Sequence, residues 1–239
     1  IDHIGRTPMV FKNGLTPTIL STKEAADFTE KMLYNSAEIQ EKENPFNQLY
    51  DKYDVEKTIL HLKPVKAFTE IPIGQKYSGI TAELDMNGHI VGSASVMIRD
   101  HQNLKSILFT GDMGKPKQSL CGGYEQFVDK YPDDPVNTMV VECTNFTKEP
   151  ISFAEKQNNF YRAINDTWDN GGNPLIASLS MHRFPEIVEM IHNGQKEGKI
   201  REDCNIYIDA PLAVDLLGIL KSNPDYMTMG YGEESNYYK

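Results

Sequence analysis

The chain has 239 residues, 39% of them hydrophobic and 24% charged, and a formal net charge of −10. That length gives one large domain or two small ones burying roughly 70–75% of the extended surface. The acidity excludes a globally basic nucleic-acid coat but not a local phosphate groove or metal site.

No apolar run approaches the roughly 18–20 residues that cross a bilayer, and no charged-then-apolar leader opens the chain, so no membrane partner is expected. Cys121, Cys143 and Cys204 are odd in number and far apart, without a CxxC pair. They point to a reducing, cytoplasmic compartment and away from a disulfide framework or a thiolate zinc knuckle. The opening, Ile1-Asp2-His3-Ile4-Gly5, reads like the middle of a motif.

In chain order, Ser21-Thr22-Lys23-Glu24 reads as a capping box. The helix it opens runs to about Glu43, buries Ala26, Thr29, Leu33 and Ala37, and stops before Pro45. A shorter helix is predicted from Asp54 as N-cap to about Leu62, carrying Val55, Ile59 and Leu60. Over residues 66–110 the period shortens. Alternating or β-branched stretches at 68–71, 79–86, 92–98 and 106–110 predict antiparallel strands, with Asn87-Gly88 as a turn. Residues 138–141 read as a short buried strand.

Ser152-Phe153-Ala154-Glu155 is a second capping box, and its helix ends at Gly171-Gly172. Beyond it, strands are predicted at 174–180 and 205–209, and helices at 185–192 and 211–221. Leu212, Leu216, Leu217 and Leu220 share one face of the last helix. Strand–helix alternation of these lengths predicts a parallel α/β layer. The boundary is drawn near Glu149-Pro150, giving domains over 1–149 and 150–239.

Three places set carboxylate or imidazole beside glycine at a strand end: Asp2-His3-Ile4-Gly5, Gly88-His89-Ile90-Val91-Gly92-Ser93-Ala94 and Phe109-Thr110-Gly111-Asp112-Met113-Gly114. Neutral imidazole and carboxylate together suit Zn²⁺, Mn²⁺ or Fe, and glycine lets backbone approach an ion closely. Singly, each is the signature of an ordinary turn or a structural histidine. Their order and context make the case.

In that order the motifs resemble the β-CASP branch of metallo-β-lactamase-fold hydrolases, which are RNA-processing nucleases. Asp2-His3-Ile4-Gly5-Arg6-Thr7-Pro8 is similar to the second half of that family's His-x-His-x-Asp-His signature. The helix ending Ser36-Ala37-Glu38-Ile39-Gln40, the segments Tyr53-Asp54-Val55-Glu56 and Leu62-Lys63-Pro64-Val65, and the His89 and Asp112 motifs also match. Val141-Glu142-Cys143-Thr144 resembles the acidic motif opening the β-CASP insertion, with Cys143 for the usual Ser and Asn145-Phe146 for the usual Tyr-Gly. Arg183-Phe184-Pro185-Glu186 and Asp209-Ala210-Pro211-Leu212-Ala213 resemble motifs within it.

The resemblance implies an α/β fold: a metallo-β-lactamase αββα-type layer followed by the parallel α/β start of a β-CASP domain. It implies two divalent metal ions, Zn or else Mn, with Asp2 and His3 on one, His89 on the other and Asp112 bridging. A metal-bound hydroxide would attack phosphorus, with Asp2 and Glu142 as catalytic residues. The family's opening His-x-His and its later histidines have no counterpart between Ile1 and Lys239, so the chain is expected to be an internal portion of a longer protein.

The other candidates read more plainly. His61 and His192 fall on predicted helices, and His101, Lys115 and Lys117 read as solvated. The sequons at Asn145 and Asn165 are expected by chance. His182 and Arg183 stand at a strand-to-helix turn suited to phosphate, the competing reading for Arg183 being an ion pair with Glu186 or Asp209.

The leading expectation is a metal-dependent ribonuclease acting on single-stranded RNA, with DNA as a second substrate. It would act as a homo-oligomer or within a processing complex. The alternatives are a non-catalytic RNA- or protein-binding subunit and a small-molecule metallohydrolase.

Overall fold

The computed structural model describes residues 3–74, 78–115, 120–121, 135–144, 147 and 151–227. They fall into two compact units, one ending at Glu142 and resuming at Gly218, the other Cys143–Leu217.

The first unit opens with α1 (Thr7–Lys12), β1 (Ile19–Ser21), α2 (Lys23–Glu43), α3 (Lys52–Leu60) and β2 (Leu62–Pro64). Thr22, not Ser21, caps α2: its side chain accepts the Ala25 N–H at 3.1 Å. Ser21 is held in β1 instead, its carbonyl accepting the Val65 N–H as β1 pairs in parallel with β2. The next helix starts a turn earlier than predicted, because Asp51 and Asp54 cap each other's backbone reciprocally, and it ends by Leu60 so that β2 can form. Leu60 is exposed, while Leu33, Ala37, Tyr50 and Val55 pack into one core against Ile4, Met9 and Ile59. Tyr226, in a 3₁₀ turn (Pro224–Tyr226), ties back to α2 by donating to Asp27 Oδ2 at 2.5 Å.

The main sheet runs β3 (Ile71–Pro72), β4 (Ile80–Met86), β5 (Ala94–Asp100), β6 (Lys105–Phe109) and β7 (Thr138–Val140) in that spatial order. Pairing is antiparallel through β6, and β7 joins β6 in parallel. The first strand is shorter than predicted because Phe68 takes φ +55°, which turns the chain out of the extended region. Residues 138–141 are not buried as expected. Among the described residues β7 is the sheet's edge, and Met139, Val140 and Val141 are exposed.

On β4 both faces are buried, Ala82 and Leu84 on one and Glu83 and Asp85 on the other. Glu83 meets Arg99 of β5 at 2.7 Å, as buried charge requires.

In the second unit, α4 (Phe153–Asp169) is capped by Ser152, which accepts the Glu155 N–H, and α5 (Arg183–Lys196) packs on it. Tyr161, Ile164, Ile191, Ile200 and Cys204 form its core. The strands predicted at 174–180 and 205–209 do not form. Neither segment has a ladder partner among the described residues, and Leu175 (97%) and Tyr207 (89%) stand exposed. A strand without a neighbour leaves its backbone to water, so the expected parallel ladder is missing here. The last helix, α6 (Pro211–Ser222), buries Ala213, Leu216 and Leu220, and the boundary between the units falls within it. The chain is thus α/β with mixed sheets. No helix among the described residues is long and apolar enough to cross a membrane.

Helix α5 carries two carboxyls with opposite perturbations. Burial works to raise the Glu186 pKa, but His182 and Arg183 outweigh it and hold the group at about 2. Burial, then the Glu186 charge, pushes Glu189 up to about 7. Glu186 therefore contributes stability present above its unfolded value of 4.5 and lost as pH falls toward 2. Glu189 contributes stability present below 4.5 and lost as pH rises through 7. Glu189→Gln is expected to raise the thermal midpoint at pH 8 and to leave it unmoved near pH 4. Equal shifts at both pH values would remove burial as the cause.

Candidate functional site

Three side chains from distant segments meet in the first unit. His3 precedes α1, His89 lies in the loop from β4 to β5, and Asp112 follows β6. His3 Nε2 lies 3.0 Å from Asp112 Oδ2, and His89 Nε2 lies 3.8 Å from the same oxygen. All three are open to solvent.

The loops that bring His89 and Asp112 together are joined by one amide. Asn87 is 1% exposed, and its Nδ2 donates to the Thr110 carbonyl at 2.9 Å, at the base of the Asp112 loop. Its Oδ1 accepts from Ser93 Oγ at 2.6 Å and from the His89 N–H at 3.3 Å. Its backbone N–H donates to Ser93 O, and its carbonyl accepts the Gly114 N–H. Asn87-Gly88 is thus no two-residue hairpin turn but the start of a seven-residue loop from 87 to 93, bracketed by the Met86–Ala94 pair.

Two glycines permit close approach. A Cβ on Gly114 would stand 1.9 Å from Gly88 O. At Gly92, φ is +80° and a Cβ would meet Glu24 Cβ at 2.6 Å, where the N-terminal end of α2 docks and Thr22 Oγ1 donates to Gly92 O. Glu142 closes the other side: its Oε1 accepts the Met113 N–H at 2.9 Å, and its own N–H donates to Thr110 Oγ1.

Ligands bound to one tetrahedral ion at about 2.0–2.2 Å sit roughly 3.3–3.6 Å apart, so the His3–Asp112 spacing, a hydrogen-bond distance, is slightly shorter than a shared ion would set and the His89–Asp112 spacing slightly longer. The donor types suit Zn or Mn. Among the described residues no group of three or more His, Cys, Asp or Glu is placed to hold one ion. They offer instead a carboxylate shared by two imidazoles. Asp2, Lys117, Asn145-Phe146 and the boundary at Glu149-Pro150 lie outside the described residues.

His182 and Arg183 belong to the second unit. His182 is 3% exposed and sits at φ +61°, in a three-residue turn closed by the Arg183 N–H to Met181 O bond at 2.7 Å. That hand of turn is rare and strained. Its Nε2 is 3.3 Å from Glu186 Oε1 but off the angle of a hydrogen bond. Arg183 Nη1 donates to Glu186 Oε2 at 2.5 Å, the ion pair weighed against the phosphate role.

Sequence reasoning missed Asn87, taken as a turn residue, and the support given by Gly114 and Thr22. No periodicity marks contacts made across 23 residues.

No protein-family model matches the chain. Among known proteins, it is 26% identical to the "Probable RNase MJ4" of Methanocaldococcus jannaschii and 22% identical to "Ribonuclease TTHA0252" of Thermus thermophilus. Each match covers 92% of this chain and 46% of the relative. It is 27% identical to the "Transcription termination factor FttA" of Pyrococcus abyssi, over 98% of this chain and 35% of that one. The chain therefore spans between about a third and a half of the length of the relatives it matches. Over most of its own length the chain is thus similar to archaeal and bacterial proteins named as ribonucleases and termination factors, which are of the β-CASP family that its motifs resemble.

Proposed function

We propose that the chain is part of a metal-dependent ribonuclease that cleaves single-stranded RNA, with DNA as a second substrate. The observation that carries this reading is the meeting of His3, His89 and Asp112, with both imidazoles within 4 Å of one carboxylate oxygen. Relatives named as ribonucleases and termination factors support RNA as the polymer. The reading includes αββα layering in a lactamase-like domain over 1–149, a β-CASP domain over 150–239, action in the cytoplasm, and a homo-oligomeric or processing-complex setting.

Asp2 and His3 would hold one divalent cation, Zn or else Mn, and His89 the other, with Asp112 shared. Bound, such ions would supply a water ionised near neutral pH and positive charge facing the phosphodiester. The chain's own residues do the rest. Asp112 holds its carboxylate against both imidazoles, and Asn87 sets the distance between the loops that carry Asp112 and His89. Glu142, oriented by the Met113 N–H, would deliver a proton to the leaving oxygen. Arg183, part-exposed, would contact the RNA backbone by exchanging Glu186 for phosphate, and His182 would hold the turn that presents it.

Metal content and cleavage of a single-stranded RNA by the full-length protein test the proposal. Cleavage should vanish with EDTA, return with Zn or Mn, and fall at least about 100-fold in Asp112→Asn. A metal-free protein that no ion activates would leave the alternative, a non-catalytic RNA-binding subunit.

A second variant tests the scaffold. Asn87→Ala removes both loop ties and is expected to lower metal affinity and cleavage at least about 10-fold, with about 1–3 kcal/mol lost in stability. Metal competition and thermal unfolding read the two effects separately. Full metal affinity in a destabilised variant would make Asn87 a fold residue only.

A further inference from the structure

A cleft of about 660 Å³ opens beside His3 in the first unit, within the size range of ligand pockets. Its walls come from Arg6, Val10, Ser36, Gln40, Leu49 and Tyr50. It is a built surface. The backbone of Leu49 is clamped from both directions, its N–H donating to Gln40 Oε1 at 2.9 Å and its carbonyl accepting from Lys12 Nζ at 2.8 Å. Lys12 also takes the Gln48 carbonyl, and Tyr50 OH donates to Ser36 Oγ at 2.8 Å. These bonds hold an apolar side chain, Leu49, 46% exposed.

At the other lip stands Arg6, exposed and with no carboxylate partner among the described residues. A cation without a counter-ion, a fixed apolar surface and an amide held nearby are the three things one nucleotide needs: a phosphate contact, a face for the base and a polar edge. His3 lines the cleft and also meets Asp112, so whatever fills the cleft ends at the candidate metal residues.

We infer that this cleft is a nucleotide subsite, receiving the unit next to the cleaved phosphate. Arg6 pairs with the flanking phosphate, Leu49 covers the base, and the Gln40 amide meets the base edge. This rests on the nuclease reading and adds where the RNA strand lies on the His3 side.

The test compares a single-stranded oligonucleotide with bis(p-nitrophenyl) phosphate, a diester with no flanking phosphate for Arg6 to pair with, using the full-length protein and its Arg6→Gln and Leu49→Ala variants. Both substituted residues are exposed, which keeps the fold out of the comparison. Arg6→Gln should lower the oligonucleotide-to-diester ratio of kcat/KM about 10-fold, through KM, and reduce the salt slope of oligonucleotide binding by about one. Leu49→Ala should lower the ratio a few-fold with the salt slope unmoved. An unchanged ratio in both variants overturns the subsite. A wild-type protein that cleaves neither substrate overturns the nuclease reading instead. The subsite is then judged by anisotropy binding of the same oligonucleotide, where loss of affinity in Arg6→Gln supports it and equal affinity overturns it.

Discussion

The geometry of the candidate site depends on one buried carboxamide. A primary amide carries two N–H donors and a two-lone-pair acceptor, and each left unmet in the interior costs about 1–3 kcal/mol. Asn87 meets that demand by reaching two loops at once, Thr110 with its nitrogen and Ser93 and His89 with its oxygen. His89 leaves β4 and Asp112 leaves β6, and β5 lies between those strands. Backbone pairing of the strands fixes where the loops start but not where their tips point. The amide does that, and Ser95 Oγ, donating to the same Thr110 carbonyl at 2.7 Å, repeats the tie from β5.

The loop tips are then pressed from outside. The N-terminal turn of α2 sits on Gly92, and Gly114 lies so close to Gly88 that no side chain fits between them. At 21 residues α2 is about 31 Å long. Its first turn therefore braces the His89 loop, while Ser36 and Gln40, several turns on, line the cleft beside His3. Tyr226 adds a tie to the first turn of the same helix through Asp27 and Lys23. One rigid element thus relates the His89 loop to the cleft wall, the kind of support that fixes a site's geometry better than loops alone.

Legibility in the sequence followed the range of the interaction concerned. Caps such as Ser152, where a side chain bonds backbone three residues on, were readable because every atom involved is local. Strands β4 to β6 were readable because alternation survives in the sequence whatever the partner. Residues 138–141 and the segments at 174–180 and 205–209 misled for one shared reason. Apolar, β-branched composition states that a segment tolerates a strand, and it cannot state whether a neighbour covers it. At the site, Asp and His beside Gly were visible one by one. The meeting of His3 with Asp112, 109 residues away, left no periodic trace, and only the resemblance to a known family anticipated it. Asn87 was misread because Asn-Gly is a strong turn signal, whereas here the side chain works at long range.

The net charge of −10 poses the last physical question, since under the proposed function a polyanion would approach an acidic chain. At physiological ionic strength, exposed charges farther apart than about 8–10 Å are largely screened, so global acidity acts weakly at any one cleft. What matters is which cations are already neutralised. Arg99 is held by Glu83 and Glu70, Arg183 by Glu186, and Arg201 by Asp169 and Asp203. A paired guanidinium offers a phosphate only what it gains by leaving its carboxylate. Arg6, beside His3, has no carboxylate partner among the described residues, so no such exchange stands between its charge and the cleft mouth. Acidity overall and attraction locally are therefore compatible, because one is a sum over the surface and the other depends on a few unpaired groups within a screening length of the site.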